Sequence, residues 1–205
     1  MIEEPDQIVF IVDDDASVRD ALVSLLASVG QKALAFATPE AFLASGCPDG
    51  PSCVVLDVRL PDRSGLDVQR DLVAAGVFAP VIFISGHADV PMSVAGMKAG
   101  AIEFLTKPFR DQDLLDAIQR GIRIDRARQE RAAELEGWRR MEAALTPRER
   151  EVMSLVAQGH ANKEIARSLA ISEITVKVHR AQVMRKMAAR SLPELVRIFD
   201  RLQAG

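Results

Sequence analysis

The sequence predicts a doubly wound α/β sheet of five parallel strands, followed by a helical connector and an all-α unit. Three observations carry this. Short apolar runs alternate with amphipathic segments over the first 110 residues. Residues 111–145 contain no proline and many strong helix formers. From Thr146 onward the periodicity is helical, with no strand candidate.

The candidate strands are Ile8–Val12, Ala33–Phe36, Cys53–Leu56, Val81–Ile84 and Ala101–Leu105. Between them lie the helical stretches Ser17–Val29, Pro39–Ala44, Leu66–Ala75 and Val90–Ala99, and a fifth begins near Asp111. Right-handed crossovers bring the C-terminal ends of such strands to one edge, where these sheets keep their sites. Leu114, Leu115, Ile118 and Ile122 form a helical stripe suited to covering the sheet. The polar run Asp125–Arg131 then reads as a solvated helical linker. Gly121 and Gly137 are candidate breaks, each costing ~1 kcal/mol relative to alanine within a helix. Leu135, Trp138 and Met141 recur at helical spacing, as a face for docking on a domain or on a second chain.

In the last third, Thr146-Pro147-Arg148-Glu149 combines an N-cap, a proline at the first helical position and an acid at the third. Gly159 ends that helix. Asn162 is the expected cap of Lys163–Leu169, and Ser172 the cap of a helix reaching about Met187. Pro193 marks the start of a final short helix. The expected division is 1–122, a linker 123–144, and 145–205.

Length and composition agree with two small domains: 205 residues, 48% hydrophobic. The net charge of −3 conceals an asymmetry, with −7 over residues 1–110, −1 over 111–144 and +5 over 145–205. A basic C-terminal module on an acidic protein points to a polyanionic partner. No apolar run is long enough to span a bilayer, and the acidic start Met1–Asp6 lacks a signal peptide's basic region. The expectation is a cytoplasmic protein with no membrane partner. Cys47 and Cys53 are then ordinary thiols, because no histidine lies nearby to complete a metal site and a reducing compartment disfavours a disulfide.

Four strand ends carry chemistry. Asp13, Asp14 and Asp15 follow Ile8–Val12, Asp57 follows Cys53–Leu56, Ser85 follows Val81–Ile84, and Lys107 follows Ala101–Leu105. One aspartate after a strand is usually a cap or turn former, and a lysine before a proline is ordinarily a surface residue. Four such ends converging on one sheet edge make a pocket. Clustered carboxylates repel unless a cation joins them, and magnesium suits an all-oxygen site that keeps several waters. The lysine and the hydroxyl suit the oxygens of a phosphoryl group.

Val12-Asp13-Asp14-Asp15, Leu56-Asp57, Pro61-Asp62-Arg63-Ser64-Gly65, Ile84-Ser85-Gly86-His87 and Phe104-Leu105-Thr106-Lys107-Pro108-Phe109 resemble the receiver domain of two-component response regulators, a flavodoxin-like fold, over about residues 7–122. The stretch Gly86–Met92 is similar to the FixJ-like subgroup. The resemblance implies that Asp57 accepts a phosphoryl group from a sensor histidine kinase. It implies that Asp14, Asp57 and the backbone carbonyl of Arg59 ligate Mg2+, with Asp13 acting through water. Lys107 and Ser85 would contact the phosphoryl oxygens, and Lys107–Pro108 would be a cis bond. Ser85 and Phe104 would form the switch, the ring turning inward as the hydroxyl moves, and phosphorylation would favour a homodimer through the surface Val90–Leu105. Asp15 is expected to cap the first helix. The alternative reading of Phe104 is plain core packing.

Lys163–Leu169, a turn at Ala170-Ile171-Ser172, and Glu173–Met187 fit helix, turn, helix, with Ile165, Ala166, Leu169, Val176, Val183, Met184 and Met187 inward. A generic helical bundle fits the periodicity equally well. Leu145–Val152, Asn162–Ala166 and Ile171–His179 resemble the LuxR-type domain of the NarL/FixJ class, over about residues 145–202. The inward set leaves Lys177, Arg180, Ala181 and Arg185 largely outside, and the resemblance puts Lys177, Val178 and Ala181 on base edges of double-stranded DNA and Asn162 and Lys163 near the backbone. Ala161 stands where the family often has serine, and Ala181 can meet a thymine methyl but cannot hydrogen-bond a base. His179 has no second ligand nearby and reads as packed or near phosphate.

The implied function is transcriptional control, activation by analogy with FixJ-like regulators, with RNA polymerase a candidate further partner and no enzyme activity beyond the phosphoacceptor's own chemistry. One rival reading is a phosphatase of the haloacid-dehalogenase type using Asp13 and Asp15. It leaves Asp57 and the C-terminal third unexplained. A second keeps the receiver but gives it an RNA-binding or protein-binding output.

Overall fold

The computed structural model describes residues 7–46, 50–86 and 90–204, with the side chain of Val90 excepted. Cys47 lies outside the described residues, as do His87, Ala88 and Asp89 of the FixJ-like stretch. The chain divides into two compact units, residues 1–129 and 130–205.

In the first unit β1 (Ile8–Val12), β2 (Lys32–Phe36), β3 (Ser52–Asp57), β4 (Val81–Ser85) and β5 (Glu103–Thr106) form one parallel sheet in the order β2-β1-β3-β4-β5. The helices are α1 (Ala16–Ser28), α2 (Pro39–Ser45), α3 (Gly65–Ala74) and α4 (Val90–Lys98), with α5 (Asp111–Ala143) beginning here and ending in the second unit. The sheet is doubly wound, and its strand order reverses between β1 and β3, where such sheets hold their sites.

The period of two along each strand sorts side chains between two cores. Val9, Ile11, Cys53, Val55, Ile82 and Ile84 face Leu22 and Leu26 of α1 and Leu114, Ile118 and Ile122 of α5. Phe10, Val12, Val54, Leu56 and Phe83 face Phe42 of α2 and Val68 and Leu72 of α3. β1, β3 and β4 are buried on both faces, which explains their near-continuous apolar runs, whereas β2 lies at an edge and is largely exposed.

Gly121 does not break α5. A Cβ there would lie 2.6 Å from Cys53 Sγ, so the missing side chain lets the helix approach β3. Gly137 also lies inside the helix. The polar run after Ile124 is not wholly solvated, because Asp125 is fully buried. Cys53 is a free buried thiol, and burial pushes its pKa up to about 12.

The second unit holds the end of α5 with α6 (Pro147–Ala157), α7 (Asn162–Leu169), α8 (Glu173–Lys186) and α9 (Leu192–Ala204). Val152, Met153, Ile165, Val176, Val183, Met187, Leu195 and Ile198 form its core, with Trp138 and Met141 packed against it. Thr146 caps α6 in a reciprocal box with Glu149. Ser172 caps α8 by accepting from Thr175 N–H at 3.0 Å.

Asn162 does not cap α7. The cap position is Ala161, whose N–H is satisfied by Glu164 Oε2 at 2.8 Å, and Asn162 is the first helical residue. Its side chain accepts instead from Arg180 of α8 at 2.7 Å. Ala170 closes α7 in the left-handed region, at φ 53°.

Candidate functional site

Each sequence-predicted group of the acidic pocket stands at a strand end. Asp13 follows β1, Asp57 ends β3, Ser85 ends β4, and Lys107 follows β5. Lys107 Nζ bridges two carboxylates, donating to Asp13 Oδ2 at 2.7 Å and to Asp57 Oδ2 at 2.8 Å. The other oxygen of Asp57 accepts from Arg59 N–H at 2.9 Å. Asp13 Oδ1 accepts from Asp15 N–H at 2.9 Å. One carboxylate oxygen each of Asp13, Asp14 and Asp57 lies within 4.8 Å of the others. Asp13 and Ser85 are buried, Asp57 is nearly so, and Asp14 is exposed at the rim.

Burial raises the pKa of Asp13, against the lowering effect of the Lys107 hydrogen bond. A cation at this place relieves that cost, and a set of hard oxygen donors fits a magnesium ion. Three carboxylates face one lysine, an excess of two formal negative charges. The acidic cluster is therefore compatible with Mg2+.

Asp15 is not part of the cluster. It caps α1, its Oδ1 accepting from Ser17 N–H at 2.8 Å, and these bonds lower its pKa. The Asp13/Asp15 pair required by the phosphatase reading is thus divided between two tasks. Lys107–Pro108 is cis. Lys107 N–H donates to Ser85 O at 2.8 Å, which ties the β4 and β5 ends together. Phe104 is half-buried, with its ring 6.1 Å from that of Phe83 and close to Gly96 of α4.

Two residues of this site had no role assigned from the sequence. Arg19, one turn into α1, donates to Asp13 O at 2.7 Å and holds the acidic loop. Gly65 opens α3 directly under the site, and a Cβ there would stand 2.4 Å from Asp57 O. Neither contact leaves a periodicity signal. Only the closeness of two backbones shows why glycine stands at 65.

In the second unit α7 and α8 form a helix-turn-helix. Lys177, Val178, Ala181 and Arg185 are exposed on α8, opposite Val176, Val183 and Met187. Lys163 is exposed on α7, whereas Asn162 and Arg180 are half-buried and bonded to each other. His179 is half-buried.

A doubly wound sheet with an acid cluster and a lysine at its strand ends, joined to a basic helix-turn-helix, defines a signal-receiving, DNA-binding regulator. Residues 9–119 match the response regulator receiver domain, and residues 143–199 match the luxR family of bacterial regulatory proteins. The chain belongs to the NarL/FixJ family of response regulators.

It is 49% identical to nodulation protein W of Bradyrhizobium diazoefficiens over 195 residues, 95% of this chain and 86% of that protein. It is 45% identical to the transcriptional regulatory protein FixJ of Azorhizobium caulinodans over 192 residues, 93% of this chain and 90% of that one. Among solved structures, the response regulator StyR matches with a TM-score of 0.85 at 43% identity, covering 96% of this chain and 99% of that chain. No helix among the described residues is long and apolar enough to cross a membrane.

Proposed function

We propose that Asp57 is the phosphoacceptor through which a sensor histidine kinase controls transcription by this protein. The observation that carries the reading is the Lys107 ammonium set between Asp13 and Asp57 at the sheet's switch point. In the transfer, an Asp57 carboxylate oxygen forms a bond to phosphorus as the bond from phosphorus to the donor's imidazole nitrogen breaks. The imidazole leaves with the electron pair. Lys107 and the Ser85 hydroxyl then face the phosphoryl oxygens.

Asp14, Asp57 and the Arg59 carbonyl would hold a magnesium ion, with Asp13 helping through water. When bound, the ion supplies charge neutralisation for the phosphoryl group. The two domains suggest a regulator rather than an enzyme. The receiver is assigned to about 1–122, the DNA reader to 145–205 and the linker to 123–144. The linker serves both, since Asp125 and Gln129 bond to the first unit and Trp138 and Met141 pack in the second.

The output is activation or repression at DNA read by α8, with Lys177, Val178 and Ala181 on bases and with Lys163, Asn162, Arg180 and Arg185 nearer phosphates. Activation is the reading taken, with RNA polymerase as a further partner. Phosphorylation acts through a homodimer on the surface around Val90–Leu105, with Ser85 and Phe104 as the switch. Val94 and Met97, one turn apart on α4 and each 46% exposed, support that surface. Two linked readers gain avidity when both half-sites are engaged.

The test is to incubate the protein with acetyl phosphate and Mg2+, trap the acyl phosphate, and map it. Label on Asp57, lost in Asp57→Asn, is expected. Label on Asp13 or Asp15 overturns the assignment. Sedimentation of the phosphorylated protein with DNA tests the dimer, and a monomer under those conditions rejects it.

A further inference from the structure

We infer that Ile174 is an additional base-reading residue, and that with Val178 and Ala181 it makes α8 a reader of thymine methyl groups. The inference rests on α8 being the DNA-reading helix.

Val176, Val183 and Met187 are buried and fix the inward direction of α8. At 100° per residue, Ile174, Val178 and Ala181 fall on the opposite side, spaced i, i+4, i+7. Ile174 is 75% exposed and Val178 54% exposed. A β-branched residue in this position contributes nothing to the core and lowers helix propensity slightly. One exposed aliphatic side chain needs no explanation. Three apolar positions aligned on the outer face of one helix form a surface with its own chemistry. The stripe is about 10 Å long at the rise of an α-helix, roughly the height of three stacked base pairs. Ile174 lies in the first turn, the end of a recognition helix that meets base edges.

The polar side chains of the same region are largely committed elsewhere. Ser172 Oγ and Thr175 Oγ1 are 2.8 Å apart, locked in the cap. Arg180 donates to Asn162, and Arg185 to Gln182. Lys177 is the long cation on this face with no side-chain hydrogen bond or ion pair among the described residues. With one cation and three apolar side chains turned to the base edges, α8 discriminates bases mainly through the C5 methyl of thymine, the apolar feature of the major groove.

The test uses the phosphorylated full-length protein and an operator selected from random duplex DNA. Each thymine in a half-site is replaced in turn by deoxyuridine, which lacks only the methyl group. One or two positions should each lose about fourfold in affinity, the worth of one buried methyl. Ile174→Ala should lose a similar factor on the thymine operator, and deoxyuridine at the position it contacts should then have no further effect. Ile174→Val should retain most of both. Equal methyl sensitivity in the wild type and Ile174→Ala at every position overturns the proposal while leaving DNA reading by α8 intact. Failure of the wild-type protein to select any duplex rejects the DNA-reading assignment itself.

Discussion

Asp125 of α5 and Ser52 at the start of β3, 73 residues apart in the chain, are joined by a hydrogen bond in which Ser52 N–H donates to Asp125 Oδ2 at 2.8 Å. Arg128 and Gln129 donate to the same carboxylate, and Gln129 also donates to Gly50 O. The aspartate is fully buried, and the Ser52 hydroxyl adds a further, longer bond to it at 3.4 Å. The strand held at this end by α5 carries Asp57 at its other end.

Asp125→Ala therefore leaves a buried N–H of β3 without a partner, at a cost of about 1–3 kcal/mol. Urea unfolding of the variant should show that loss, and Asp125→Asn, which keeps an acceptor, should show less. Equal stability of Asp125→Ala and the wild type would dismiss the clamp.

Gly121→Ala should destabilise the receiver by about 1–3 kcal/mol through overpacking, even though alanine is the better helix former by ~1 kcal/mol. The added methyl meets Cys53 Sγ at 2.6 Å and Ile102 Cδ1 at 3.0 Å. Cys53→Ala removes the first obstacle. Thermal melts of the double variant should thus show a smaller loss than the two single losses combined; strict additivity would mean the two sites do not touch.

Lys107→Ala removes charge-assisted bonds to both Asp13 and Asp57, a loss on the order of 2 kcal/mol. A divalent cation should compensate for part of it. The rise in Tm on adding Mg2+ is expected to be larger in the variant than in the wild type, and an equal or smaller rise would count against an ion among these carboxylates.

The DNA-binding unit should lose stability in acid through Glu149. Its bond to Lys186 at 2.6 Å, then the bond from Thr146 N–H, hold its pKa down to about 2. Because the folded value lies below the unfolded one, the contribution is present in full above the ordinary glutamate range. It drains away as pH falls toward about 2. Glu149→Gln should flatten the pH dependence of unfolding in this window while lowering stability at neutral pH. An unchanged slope would show that the pair is not coupled to folding.

Much of the pocket is legible in the sequence. Asp13, Asp57, Ser85 and Lys107 each follow an apolar run, and in a parallel sheet with one-handed crossovers such ends meet on one edge. The helix caps at Asp15, Thr146 and Ser172 were legible for a similar reason: the bonds are local, made within three residues. Asn162 misled because a side chain that can cap can equally well serve a neighbouring helix, and Arg180 lies close enough in space to claim it.

The sequence by itself determined the order of strands and helices, the division of charge between the halves, and the residue types gathered at the sheet edge. These follow from periodicity and short-range hydrogen bonding. Only the tertiary structure decided that Asp125 is buried, that Gly65 and Gly121 are glycines because other atoms occupy the space of a Cβ, and that Arg180 reaches Asn162 of the neighbouring helix. Each of those facts depends on how close two segments distant in the chain come to one another, and a residue's own neighbours in sequence carry no record of that distance.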